Sequence, residues 1–243
     1  MKINTMASAI RISTRRWIII AALVSGVASQ VKAQEGSSFG AFVAVPVGNF
    51  KSTDLRNGGF AKTGWGIVFD SKSHFKSMPD NLFLYFHSTY QWNEMDTEAL
   101  AAAFTKELGK RTTITESRYS PLLTTLGPSY VFDLTDKLKL ALNGTVGIMF
   151  NNTRSLGIRV YDDNDTELLR EAVSFDNNVA FAYTLGVELR FPLFKDLIGG
   201  AVYVDYTGAK QKTTLTFDTL DPIKSFEQLQ YLNCGFKFTL PKH

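Results

Sequence analysis

Apolar and polar positions alternate with period two over most of the chain beyond residue 34. The stretch LKLALNGTVGIMF, residues 138–150, shows this plainly. Leu138, Leu140, Leu142, Gly144, Val146, Ile148 and Phe150 share one face. Lys139, Ala141, Asn143, Thr145, Gly147 and Met149 share the other. Successive side chains of a strand point to opposite sides, whereas a helix repeats near 3.6 residues, so this stretch is a strand. Seven more stretches carry the same pattern: SFGAFVAVPVG (38–48), FAKTGWGIVFD (60–70), NLFLYFHSTYQW (81–92), PLLTTLGPSYVF (121–132), VAFAYTLGVELRF (179–191), GAVYVDYT (200–207) and LQYLNCGFKFTL (229–240).

The connections between these eight strands alternate in length. SKSHFKSMPD, DLTDK and PLFKDLIG are short, while 49–59, 93–120, 151–178 and 208–228 are mostly longer. Short turns at one end and long loops at the other are the layout of an up-and-down barrel in a bacterial outer membrane. Strands of about 9–11 residues suit a tilted membrane crossing.

A soluble β-sandwich or lipocalin-like barrel would alternate as well, with its apolar face inward. The composition of the second face separates the two readings. A water-facing sheet is dense in Lys, Glu, Thr and Gln, but here that face is mostly Gly, Ala, Thr and Ser, as at Gly64, Gly66, Thr145, Gly147, Ala180 and Ala182. Small residues suit a crowded lumen, and large aliphatic and aromatic residues suit lipid. Tyr90, Trp92, Tyr130, Phe132, Phe150, Phe191 and Tyr206 fall near strand ends, where interfacial girdles form. Pro128 is awkward inside the fourth strand, because a closed barrel has no edge to hide a missing N–H; a bulge or local break is expected at Gly127–Pro128.

The first 33 residues differ from the rest. Lys2, Arg11, Arg15 and Arg16 precede the apolar run WIIIAALVSGVAS, and Val31, Lys32 and Ala33 follow it. That order describes a secretory signal peptide cleaved after Ala33, leaving 34–243 as one barrel domain. The apolar run is too short for a membrane-spanning helix, which needs about 20 residues. Its removal takes five basic residues and no acid, so the net charge of +3 becomes −2. The apparent basicity therefore belongs to the export signal, and a nucleic-acid partner is not expected. Cys234 stands alone, so the fold is not one stapled by internal disulfides.

VPVGNF after the first strand, GGFAKTGWGIVF in the second, the pair LGPSYVF and LNGTVGIMF, and YTLGVELRF together resemble the small OmpA/OmpX-like outer-membrane barrels of Gram-negative bacteria, particularly those of Bacteroides-type lineages. The resemblance covers the whole mature chain. It implies an outer-membrane location and three kinds of partner: outer-membrane lipid with lipopolysaccharide, the barrel-assembly machinery, and an extracellular protein at the loops. Such barrels commonly end on an aromatic residue that aids assembly. Here Phe238 is followed by Thr239, Leu240, Pro241, Lys242 and His243, which displaces that signal.

In 93–120, EMDTEALAAAFTKELGK predicts a short helix capped by Asp96 or Thr97 and ended by Gly109. Its apolar side, Leu100, Ala103, Phe104 and Leu108, is expected on the barrel rim, a partner surface being the alternative. In 151–178 two strand extensions meet at DDND. Asp162, Asp163, Asn164 and Asp165 lack the Gly and distal Glu of a Ca²⁺ loop, so a solvated turn is expected. Residues 208–228 predict another extended hairpin. His87 and Ser88 are adjacent on a strand, hence on opposite faces, and cannot act together as base and nucleophile. No catalytic activity, cofactor or metal is expected.

Inward-facing charges remain: Lys62, Asp70, His87, Lys139, Glu188, Arg190, Asp205 and Lys237. Chain direction brings several of them to the short-turn end. Buried charges are costly alone. Glu188 is therefore expected among Arg190, Lys139 and Lys237, with a spare positive charge going to Asp70, a lumenal water or the periplasm, to plug the lumen; separate snorkelling of these groups to water at the barrel mouth is the alternative. The sequence thus predicts an all-β, eight-stranded antiparallel transmembrane barrel with long extracellular loops and a structural or surface-interaction role. A narrow solute channel or a lipid-modifying enzyme are the alternatives.

Overall fold

The computed structural model describes residues 34–56, 58–177, 179–194, 198–218 and 223–240; the expected signal peptide lies outside them. Twelve strands and two helices follow in chain order: β1 Gln34–Pro46, α1 Gly48–Lys51, β2 Gly64–Ser73, β3 Leu82–Glu94, α2 Thr97–Leu108, β4 Arg111–Ile114, β5 Arg118–Tyr119, β6 Leu122–Asp133, β7 Lys139–Phe150, β8 Leu156–Tyr161, β9 Glu167–Asn177, β10 Val179–Phe194, β11 Ile198–Phe217 and β12 Ile223–Thr239. Eight of them pair in a closed ring, β1-β2-β3-β6-β7-β10-β11-β12, and β12 returns to β1 with Ser38 opposite Thr239 and Pro46 opposite Tyr231. The ring is an antiparallel up-and-down barrel, and its members are the eight strands expected from the alternation.

The two faces divide as their side chains require. Along β7, Ala141, Asn143, Thr145 and Met149 are buried, and Leu142, Val146, Ile148 and Phe150 are exposed. Val43, Ile67, Phe69, Leu126, Leu185 and Val204 extend the exposed apolar band around the ring. A contiguous apolar surface of this extent is stable against hydrocarbon and not against water. Aromatic pairs flank it. Trp65 and Trp92 stack 4.4 Å apart at the long-loop end, and Tyr130 and Phe132 lie 4.7 Å apart at the short-turn end. Phe236 and Phe238, 4.9 Å apart, continue the second girdle.

The strain at Pro128 takes one of its two expected forms. Leu126 pairs with Val146 and Ser129 with Asn143, yet neither Gly127 nor Pro128 has a partner on β7. The register is the same on both sides, so this is a break and not a bulge. Toward β3 the ladder is continuous, with Tyr85 opposite Gly127 and Leu84 opposite Pro128. The missing proline N–H accounts for a gap on one flank only.

Beyond the rim, β11 exchanges β10 for β9 as its neighbour, and β12, β11, β9, β8 and β4 form a sheet that projects past the barrel. Both expected hairpins are part of it. Helix α2 has the predicted ends: Asp96 accepts from the Ala99 amide at 3.1 Å, and Gly109 takes the left-handed conformation at φ 63°. Thr105 of α2 accepts from the Thr112 amide at 3.0 Å, which occupies a donor of the outer strand β4. Leu100, Ala103 and Phe104 pack against the core as expected. Leu108 does not; it is exposed, being a turn further along and past the rim.

Candidate functional site

The lumen is built from the inward residues of the ring and falls into layers. Nearest the short turns lies the charge cluster. Glu188, 1% exposed, has Arg190 Nε at 2.5 Å, Lys237 Nζ at 3.3 Å and Lys72 Nζ at 3.9 Å. Lys237 is fully buried and also lies 2.6 Å from Asp70 Oδ2, an ion pair off the hydrogen-bond direction. Its ammonium sits 3.8 Å from the centre of the Tyr203 ring. Asp70 Oδ1 meets His87 Nδ1 at 2.7 Å, placed to receive its proton. His87 Nε2 faces Asp205 Oδ2 across 4.0 Å. Three carboxylates thus oppose three cations and a histidine, as a medium poor in water requires.

Local sequence makes room for this cluster. A Cβ at Gly186 would overlap the Asp205 carboxylate, and one at Gly235 would press to 2.8 Å from the Tyr203 ring. Glycine at these two points lets Asp205 and Tyr203 lie across the neighbouring strands. A pocket of about 10 Å³ reaches the cluster from the short-turn end, between Ser38, Lys72, Glu188 and Arg190. That is room for about one water molecule.

Four of the five expected network residues, Asp70, Glu188, Arg190 and Lys237, meet here. Lys139 does not. Its side chain is 53% exposed and pairs with Asp133 at 3.1 Å. Its cross-strand neighbours are Asp133 on β6 and Arg190 on β10, so attraction on one side and repulsion on the other draw it to the aqueous rim. Lys62 is also outside the lumen; it precedes β2 and pairs with Asp96 at 3.5 Å. The residue not foreseen is Lys72. It continues the inward alternation of Val68 and Asp70, but the second strand runs past its expected end at Asp70. Ser88 donates to the Leu123 carbonyl at 3.1 Å on the face opposite His87.

Higher up, α1 places Phe50 in the barrel mouth. Its ring meets Tyr119 at 4.8 Å and Tyr231 at 4.9 Å, both edge-on. Above this aromatic layer, the loops and the projecting sheet line a half-open cavity of about 230 Å³. Phe60, Met95, Leu100, Phe104, Tyr119 and Phe175 form much of its wall. The pattern of 49–59 predicts a connection, and nothing in it announces a cavity.

No family model and no curated protein sequence matches the chain. Among solved structures it is similar to Neisserial surface protein A, at 9% identity over 85% of this chain and 95% of that one, with a TM-score of 0.39. It is similar to outer membrane protein OprG from Pseudomonas aeruginosa, at 11% identity over 86% and 98%, with a TM-score of 0.46. A major outer membrane protein from Thermus thermophilus matches at 11% identity over 84% and 99%, with a TM-score of 0.44. The closed ring of strand pairings, and not these likenesses, defines the fold.

Proposed function

We propose that the chain is an integral outer-membrane barrel that works at the cell surface through its long-loop end, with the lumen closed. The lumen carries this reading: buried charges pair across its whole width, and the aromatic layer around Phe50 lies above them. A transport path would have to break these ion pairs or route around them. No catalytic step is part of the proposal. The projecting sheet and α2 supply an ordered surface for an extracellular partner. Lipopolysaccharide around the apolar band, insertion by the barrel-assembly machinery and removal of residues 1–33 belong to the same proposal. So does kinship with OmpA/OmpX-like barrels, which rests on the stretches quoted from the sequence.

Planar-bilayer recording of purified protein tests the closed lumen. The expected result is no stable unitary conductance; stable openings would replace this reading with the narrow channel. N-terminal sequencing of protein extracted from outer membranes is expected to begin at Gln34, and a start at Met1 would overturn the export argument.

A further inference from the structure

The cavity at the loop end has a size, a chemistry and a strained wall, and the three agree on an occupant. Its volume of about 230 Å³ exceeds the ~150 Å³ apolar cavity that holds benzene, and scaling by volume gives room for about nine carbon atoms. That is too little for the several side chains a docked peptide would bring, and it suits a short aliphatic chain. The wall is mostly Leu, Ile, Val, Met and Phe, with Thr213, Gln228 and Tyr119 as polar points. Arg56 is the charged residue of the lining. It is exposed, so it marks the mouth, and among the described residues no carboxylate forms an ion pair with it.

The wall is also held under strain. Phe60 has φ 52°, a left-handed conformation that is rare for a bulky residue. Two backbone bonds hold it there: its amide donates to the Ser52 carbonyl at 3.1 Å, and its own carbonyl accepts from the Asp96 amide at 2.6 Å. The ring is buried in the cavity wall as a result. Glycine would take this backbone without strain, whereas phenylalanine adds its ring to the wall. Below, Tyr119 donates to the Gly59 carbonyl at 2.7 Å and rests against Phe50, which gives the cavity a floor.

We propose that this cavity binds a single-chain aliphatic carboxylate of about nine carbons, the chain inside and the carboxylate at Arg56. This inference rests on the proposed function only in taking the loop end as the working surface. Conductance and ligand binding are read separately, so either can fail alone.

The test is equilibrium dialysis of labelled nonanoate against full-length protein in lipid nanodiscs, with empty nanodiscs subtracted. Saturable one-to-one binding is expected. Nonan-1-ol and hexadecanoate serve as competitors, one without the charge and one too long, and each should compete about tenfold more weakly or worse. Arg56→Gln removes the charge at the mouth and leaves the apolar walls in place; it should weaken nonanoate about tenfold and leave nonan-1-ol unchanged. Ile158→Trp should fill the cavity and abolish binding of both. No saturable nonanoate binding would overturn the proposal. So would equal affinity for hexadecanoate, or nonanoate binding unaltered in Arg56→Gln, whether or not Ile158→Trp folds.

Discussion

Replacing Glu188 by alanine should destabilise the barrel far more than replacing Asp205. Glu188 is buried and has three cations within 4 Å. Breaking a buried pair from one side costs about 3–5 kcal/mol, mostly through the charge left behind. Two considerations reduce the figure here. Lys237 keeps Asp70 at 2.6 Å, and Arg190, 21% exposed, can swing toward the short-turn end. Lys72 has no such escape, because its ammonium is buried and its nearest carboxylate is the one removed. The expected loss is therefore at the lower end, about 3 kcal/mol. Asp205 has His87 as its one ion-pair partner within 4.0 Å among the described residues, feels Lys237 only from further off, and its Oδ2 accepts no hydrogen bond there. Its removal should cost about 1 kcal/mol or less. The gap of about 2 kcal/mol is roughly thirtyfold in the folding equilibrium. Reversible urea unfolding in lipid vesicles, followed by the mobility difference between folded and heated protein on a gel, measures both variants. Adding Lys72→Met to Glu188→Ala should recover part of the loss by removing the stranded cation. A loss for Asp205→Ala as large as that for Glu188→Ala would refute the reasoning.

Leu185 is 59% exposed near the middle of the apolar band, so Leu185→Arg should cost about 2–4 kcal/mol in the same titration; tolerance of arginine there would mean that the face does not meet hydrocarbon. A nitroxide at Leu142 should be accessible to oxygen and shielded from a water-soluble relaxer, and one at Asn143 should not share that pattern; equal water access at both would point to a soluble sheet. At the tip of the β8–β9 hairpin, the Asp162 carboxylate accepts from the Thr166 and Asn164 amides, each at 2.8 Å, and these bonds, Thr166 foremost, hold it below the usual carboxylate range. The turn should thus be fully ordered above the unfolded value near 3.9 and lose that support as pH falls below it, read as amide-exchange protection at Thr166; protection that persists unchanged well below pH 3 would contradict this.

How far the molecule was legible depends on the range of the interactions involved. The strands of the ring follow from local alternation, and the ends of α2 from Asp96 and Gly109, because each rule acts within a few residues. The charge cluster was legible in part: direction and alternation together bring Glu188, Arg190, Lys237 and Asp70 to one level. Lys72 is not legible because a Ser-flanked strand end reads as a turn, and the place of Lys139 is not legible because alternation says nothing of the pull of Asp133 across the strand pair. The cavity was not legible at all. Its wall gathers residues from Leu55 to Gln228, brought together only when the projecting sheet closes over the barrel mouth.

The seam of the ring has a consequence for how the molecule comes into being. Ser38 and Thr239 face each other though they are 201 positions apart in sequence, and the bonds joining β1 to β12 cannot form until every strand between them is present. This is the most non-local pairing of the ring, and its closure cost falls only as the intervening neighbour pairings bring the two strands together. Until then both terminal strands carry bare edges, open to pairing with other molecules. The meeting of β1 and β12 thus depends on all the other pairings of the ring, and a lesion in either strand bears on how the barrel closes as well as on the finished barrel.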